Sequence, residues 1–176
     1  YDFAGMNRIV DVGGGYGELL AAVLHAYPLA HGVLLDLPHA IEGARRHLKR
    51  RGVQDRCDLV EGSFFESVPP GGDAYLVKSV IHDWDDAHGA VILRNCRQAM
   101  PPSAKLLLIE GLMPGQMEAS AMHQNRARAD LNMLVAHGSR ERTETDFRAL
   151  MEAQGFRLNK IVLTGTGLSI LEGIPC

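Results

Sequence analysis

Short runs of consecutive apolar residues alternate along the chain with longer stretches in which apolar residues recur every three to four positions. The first kind predicts strands buried on both faces and the second predicts helices with one apolar stripe. Five runs, 8–12, 32–36, 57–60, 74–77 and 105–109, are the predicted strands. Between and after them lie predicted helices over 18–27, from Pro38 to near Gly52, over 86–100, around 124–136 and over 143–154. Pro38 suits a first helical turn, Pro101-Pro102 stops the third helix, and Thr143-x-x-Asp146 reads as a loose capping box. Residues 111–122 show no period and contain Pro114 and Gly115, which predicts a long loop. The last two runs, 158–164 and 168–174, flank Gly165 and Gly167 and read as an antiparallel hairpin. Strand–helix alternation followed by a hairpin predicts one α/β domain with a mostly parallel, doubly wound sheet.

Composition narrows the function classes. The 176 residues suffice for one domain, and 46% hydrophobic with 22% charged residues is ordinary globular usage. A net charge of −3 offers no diffuse basic field, so neither nucleic acid nor an anionic membrane is an expected partner. No apolar run approaches the roughly 18 residues that span a bilayer. Cys57, Cys96 and Cys176 are scattered and odd in number, which predicts no disulfide framework, no zinc site and a cytoplasmic location. There is no initiator Met, and a strand begins within the first ten residues. The expectation is a piece of a longer protein.

The most specific local feature is Asp11-Val12-Gly13-Gly14-Gly15-Tyr16-Gly17, between a strand and a helix. Glycines there permit a sharp turn and a close ligand approach. Nicotinamide and flavin enzymes use G-x-G-x-x-G, but Glu18 occupies that third glycine position, where it would repel a pyrophosphate. Gly13, Gly15 and Gly17 fit a cofactor without phosphate better. Asp36 ends the second strand and is placed to accept hydrogen bonds from ribose hydroxyls. Read alone, the cluster is equally a plain tight turn with Asp36 capping the next helix.

These residues belong to a longer series: Val10 to Gly17, Asp36-Leu37-Pro38-His39, Glu61-Gly62-Ser63-Phe64-Phe65, Lys78-Ser79-Val80-Ile81-His82-Asp83-Trp84, Leu108-Ile109-Glu110, Arg140-Glu141-Arg142-Thr143 and Ser169 to Gly173. In order and spacing the series resembles S-adenosylmethionine-dependent O-methyltransferases of the caffeic acid and acetylserotonin type, across nearly the whole chain. The resemblance implies the Rossmann-like class I methyltransferase fold, with S-adenosylmethionine as cofactor and S-adenosylhomocysteine as product. It implies a cofactor site of Asp11, Gly13, Gly15, Gly17, Asp36, Leu37, Ser63, Phe64 and Lys78. Gly13 and its neighbours would line the methionine tail, Asp36 the ribose and Phe64 the adenine. It implies His82 as general base, flanked by Glu110 and Glu141. Ser63 departs from the aspartate common in the family, so an adenine hydrogen bond there lacks charge assistance. The resemblance also implies an N-terminal helical domain, absent from this chain, that builds a homodimer and closes part of the acceptor pocket.

The expected reaction is methyl transfer to a hydroxyl of an aromatic or polyketide-like small molecule. A phenol is mostly protonated at neutral pH, and a neutral imidazole takes its proton as the methyl moves. Without the resemblance, the residues read more plainly. Glu110 ends a strand, Arg140-Glu141-Arg142 is a solvated charge run, and Asp85 or Asp86 caps a helix behind His82. Trp84 either covers the cofactor or packs. His25, His31, His47, His88 and His137 have no motif support, while His123, Met113, Met117, Met122 and Met133 lie where an acceptor pocket is expected. Two other readings compete: a nicotinamide-dependent oxidoreductase, and a non-catalytic cofactor-binding or dimerisation module.

Overall fold

The computed structural model describes residues Tyr1–Cys176, the side chain of His137 excepted. Among the described residues the chain runs β1 (Arg8–Val12), α1 (Glu18–Ala26), β2 (His31–Asp36), α2 (Pro38–Arg50), β3 (Cys57–Glu61), β4 (Ala74–Lys78), α3 (Asp86–Ala99), β5 (Lys105–Met113), α4 (Ala121–His137), β6 (Arg142–Thr143), α5 (Glu144–Glu152), β7 (Phe156–Leu163) and β8 (Leu168–Pro175). The sheet order is β3-β2-β1-β4-β5-β8-β7, with the two-residue β6 pairing β5 off that path. β1 to β5 are mutually parallel, and β8 runs antiparallel to both β5 and β7. This is the doubly wound α/β sheet with an antiparallel end that the alternation predicts.

The two faces of the sheet explain why its strands read as unbroken apolar runs. Ile9, Leu34, Leu76 and Leu107 pack with Leu20, Leu24, Ile41 and Leu48 of α1 and α2. Their neighbours Val10, Tyr75, Val77, Leu106 and Leu108 point the other way, onto Ile92, Leu93 and Cys96 of α3 and Phe147 and Met151 of α5. Helices on both faces leave nearly every strand position apolar. Winding reverses between β1 and β4, where helices leave to opposite sides, and open α/β sheets bind ligands at such a point.

Two boundaries differ from the sequence expectation by more than two residues. The predicted loop 111–122 is shorter, because Gly111 pairs with Leu168 of β8 while Leu112 and Met113 pair with β6. Those partners are remote in sequence, so no local period marks the extension. α4 begins earlier than predicted, at Ala121, because the Ser120 side chain caps it by accepting from the His123 N–H. The capping box at Thr143 forms as predicted, with both reciprocal bonds to Asp146. Among the described residues no helix is long and apolar enough to cross a membrane.

Candidate functional site

The glycine loop sits at the carboxyl end of β1. Gly13 N–H donates to the Leu35 carbonyl at 2.9 Å, which ties the loop to β2. Gly17 opens α1 in the left-handed region (φ 80°), and a Cβ there would lie 2.8 Å from Leu34 Cδ1. The last glycine of the cluster therefore performs the close helix–strand packing for which G-x-G-x-x-G uses a position one residue later. Asp36 closes the turn from the neighbouring strand. Its two carboxylate oxygens accept from Gly15 N–H and Leu37 N–H, each at 2.7 Å. These bonds present a half-buried carboxylate, with unused lone pairs, at the rim of the cleft.

Beside Asp36 lies a pocket of about 120 Å³, lined by Asp36, Leu37, Gly62, Ser63, Phe64, Phe65 and Trp84. Its walls are mainly aromatic. Phe65 meets Trp84 edge-on at 4.7 Å, and Phe64 meets Phe65 at 4.9 Å. Asn95 of α3 fixes the strip by donating to the Phe64 carbonyl at 2.8 Å. The Ser63 hydroxyl oxygen accepts from Phe65 N–H at 3.2 Å. Its proton is free for a ring nitrogen in the pocket. Apolar walls with a few fixed polar groups suit a flat heterocycle.

On the other side of the loop, a wider cleft of about 530 Å³ is lined by Asp11, Gly14, Tyr16, Glu18, Leu19, Ala22 and Lys78. Asp11 is 1% exposed, and neither of its side-chain oxygens has a hydrogen-bond partner. Burial, reinforced by Asp36 and opposed by Lys78, pushes its carboxyl up to about 7. A Cβ on Gly14 would lie 2.5 Å from Asp11 Oδ2, so only glycine leaves that carboxyl open to the loop. An orphaned acid beneath a glycine turn, next to a ribose-type acid and an adenine-sized pocket, fits a nucleoside whose tail carries positive charge. The residues present fit S-adenosylmethionine.

The second cluster gathers at the ends of β4 and β5. After β4, Ser79 adopts φ 52°, a left-handed conformation uncommon outside glycine, and a single 3-10 turn over Ile81–Asp83 carries His82. His82 Nδ1 lies 3.2 Å from Glu141 Oε1 and 3.9 Å from Glu110 Oε2, while Nε2 lies 3.4 Å from Asp83 Oδ1. Hydrogen bonding to Glu141 raises the His82 pKa above its usual 6.5, against burial and helped by Glu110 and Asp83. Glu110 is fully buried, and burial pushes it up to about 7 although His82 and two backbone N–H groups oppose the rise. Those N–H groups, of Val80 and Ile81, donate to Glu110 Oε1 at 3.1 and 2.9 Å. The two acids thus do different things. Glu141 holds the ring, and Glu110 holds the turn beneath it.

The structure brings every predicted site residue to the carboxyl-end side of β1, β2, β3, β4 and β5, or to the 139–142 segment that meets them. Trp84 both packs on Phe65 and lines the small pocket. Asp85 is the α3 cap, accepting from His88 N–H, so the helix-capping reading holds without displacing His82. Two plain readings fail. Glu110 lies inside β5, which runs on to Met113, rather than ending the strand. Arg142 is completely buried rather than solvated, because its partners are backbone carbonyls of the His82 turn. Ser139, buried and donating to the His82 carbonyl at 2.6 Å, carried no signal in the sequence. His123 is buried and accepts from Glu118 N–H through Nδ1, a loop anchor rather than an open pocket group. His25 and His88 are exposed, His31 and His47 half-buried, and the His137 side chain lies outside the described residues.

The fold is a doubly wound α/β domain that sets a small aromatic-walled pocket and a histidine–carboxylate cluster on either side of a glycine loop, and comparison with known proteins specifies its family. Residues 1–157 match the O-methyltransferase domain family, and the chain belongs to that family. It is 44% identical over 175 residues to a phenazine O-methyltransferase of Lysobacter antibioticus, covering 99% of this chain and 50% of that protein. It is 46% identical over 178 residues to the O-demethylpuromycin O-methyltransferase of Streptomyces alboniger, covering 99% of this chain and 47% of that one. Among solved structures, an O-methyltransferase from neocarzinostatin biosynthesis, in complex with S-adenosylmethionine and 2-hydroxy-5-methyl naphthoic acid, superposes with a TM-score of 0.90. That pair shares 32% identity, over 100% of this chain and 51% of the other. The chain spans about half the length of the curated relatives it matches.

Proposed function

We propose that the protein carrying this chain transfers a methyl group from S-adenosylmethionine to a hydroxyl oxygen of an aromatic or polyketide-like small molecule, with His82 as general base. The observation that carries this reading is the His82 imidazole bonded through Nδ1 to Glu141, at the end of the strand beside the glycine loop. Asp11, Gly13, Gly15, Gly17, Asp36, Leu37, Ser63, Phe64 and Lys78 are assigned to the cofactor. Asp36 takes the ribose hydroxyls, the Phe64–Trp84 pocket takes the adenine, and the buried Asp11 balances the positive tail. When bound, the cofactor supplies an electrophilic methyl on a cationic sulfur.

The residues of this chain then handle the proton. An Nδ1–H donated to Glu141 selects the tautomer whose Nε2 lone pair can accept. Nε2 takes the hydroxyl proton of the acceptor as its oxygen becomes nucleophilic, a step worth roughly 10²–10⁴-fold. The imidazolium that forms lies between Glu141 on one nitrogen and Asp83 on the other, and the Glu110 carboxyl lies close by. A carboxylate in that place stabilises the charged ring and keeps it aligned. The rest of the acceleration comes from holding the two reactants in line.

We infer in addition that the whole protein is a cytoplasmic homodimer. The exposed apolar residues Met122, Leu131, Leu134 and Val135 of α4 support a covering surface, and the unpaired cysteines support the location. The test of the function is His82→Ala in the full-length protein, with a panel of phenolic acceptors and labelled cofactor. Cofactor affinity is retained while turnover collapses; unchanged turnover refutes the base. Calorimetry separates the oxidoreductase alternative, since preferential binding of a nicotinamide dinucleotide overturns the whole reading.

A further inference from the structure

The turn that carries His82 has two backbone bonds of its own, Asp83 N–H to the Val80 carbonyl at 3.1 Å and Trp84 N–H to the Ile81 carbonyl at 3.2 Å, and side chains hold it from both sides. From one side, Glu110 Oε1 accepts both the Val80 and Ile81 N–H groups. From the other, the Arg142 guanidinium donates through Nη1 to the Ile81 carbonyl at 2.8 Å and through Nη2 to the Trp84 carbonyl at 2.7 Å. Its Nε donates to Asp86 Oδ1 at 2.9 Å, so the fork spans the turn and the first residue of α3. The Ser139 hydroxyl takes the carbonyl between them, that of His82 itself, at 2.6 Å.

Arg142 is 0% exposed and Ser139 3%, and both come from the short segment that also supplies Glu141 to the ring. That segment is registered on β5 through Leu112↔Arg142 and Met113↔Thr143, and β5 carries Glu110. Base, ring partner and turn clamps therefore move as one body. A buried guanidinium is costly to maintain unless its donors are satisfied, and here each of its nitrogens is used.

We propose that Arg142 and Ser139 are positioning residues for the base: they fix the backbone of the His82 turn so that Nδ1 stays on Glu141 and Nε2 faces the acceptor. The proposal rests on His82 being the base. Both act through carbonyls of the turn, and neither is assigned a contact with cofactor or acceptor. Loss of the Ser139 bond frees the His82 carbonyl. Replacement of the Arg142 fork by a lysine leaves one ammonium to serve acceptors that lie in three directions. Displacement of the base by about an ångström costs on the order of 100-fold in rate.

The experiment compares Ser139→Ala and Arg142→Lys with wild type and His82→Gln, all in the full-length protein. Arg142→Lys lowers kcat by roughly ten- to a hundredfold and Ser139→Ala by several-fold, while cofactor affinity stays within about twofold. In both, the acid limb of the rate profile moves to lower pH, because the Glu141 bond that raises the His82 pKa is weakened. Combining Ser139→Ala with His82→Gln lowers the residual rate no further than His82→Gln alone, as expected of residues that act as a unit. A rate loss with an unmoved acid limb, or a full additional loss in the His82→Gln background, overturns the positioning role. Should Arg142→Lys fail to fold, Ser139→Ala decides the outcome alone. If His82→Gln is itself fully active, the base assignment falls instead, a result distinct from failure of the clamp.

Discussion

Asp11→Asn should stabilise the cofactor-free protein at alkaline pH, although it removes a residue proposed for the cofactor site. Asp11 is almost fully inaccessible, and both its oxygens lack partners. Its carboxyl is pushed from an ordinary 3.8 up to about 7, by burial first and the neighbouring Asp36 second. A folded pKa above the unfolded value means that the native state binds the proton more tightly. Stability from this group is therefore complete below about pH 4 and is lost as pH rises through 7, opposite to a salt-bridged aspartate. At about 1.4 kcal/mol per pKa unit, the rise corresponds to roughly 4 kcal/mol of native-state cost at pH 8. Asparagine keeps the shape and removes the charge, but its buried amide also lacks partners, at a cost of about 1–3 kcal/mol. The expected net gain at pH 8 is about 1–3 kcal/mol, shrinking to zero or reversing near pH 4.

Urea unfolding of wild type and Asp11→Asn at several pH values, without cofactor, reads this directly as a pH-dependent difference in midpoint. Addition of S-adenosylmethionine should reverse the order at high pH, since the cofactor binds the charged wild-type site more tightly and stabilises by mass action. Curves for the two proteins that stay parallel from pH 4 to pH 8 refute the argument. So does an Asn variant that binds the cofactor as well as wild type does.

Further outcomes follow from other contacts. Gly14→Ala puts a methyl 2.5 Å from Asp11 Oδ2, and titration calorimetry should show cofactor affinity reduced at least tenfold with acceptor binding spared. Methyl-transfer rate should rise with pH through an apparent pKa above 6.5, because the hydrogen bond to Glu141 raises the His82 pKa, and Glu141→Gln should shift that limb to lower pH. Phe147→Ala, at a core position 1% exposed between α5 and the sheet, should cost about 3–5 kcal/mol in denaturant unfolding.

Much of this was legible in the sequence, for a physical reason that also marks where legibility stops. Strands buried on both faces write themselves as apolar runs, so β1 is bounded as predicted and β2, β3 and β4 to within a residue. Caps are local chemistry, and Thr143 and Pro38 start α5 and α2 as their sequences require. The candidate site was legible as residues but not as geometry. Arg142 reads as one member of a solvated run because arginine between charged neighbours is normally exposed. Its acceptors are the carbonyls of a turn some 60 positions earlier, and backbone carbonyls leave no mark in a sequence. The left-handed Ser79 is equally silent, since nothing in its side chain requires that conformation. The extension of β5 to Met113 depends on β6 and β8, both assembled from later chain. Contacts of long range were thus lost at the one place where several converge.

The charges of the site also show why those contacts are so numerous. Asp11 lies near the carboxyl end of β1 and Glu110 in β5 just past the end of β4, which runs between the two, and each is a buried acid with at least one side-chain oxygen unpartnered. Both are raised to about 7, so at neutral pH each balances between a buried charge and a buried proton. In an ordinary core such groups would be exchanged for apolar ones at a gain. Here each faces a place where positive charge is expected: the tail of the cofactor beside Asp11, and the imidazolium of His82 beside Glu110. A surface that relaxed around its acids would spend that complementarity before any ligand arrived. The β4 turn is prevented from doing so by Glu110 beneath it, by Arg142 across it, and by Ser139 on the carbonyl of His82. The clamps keep an electrostatically unfavourable arrangement in place, and that is what allows the arriving charges to be the groups that satisfy it.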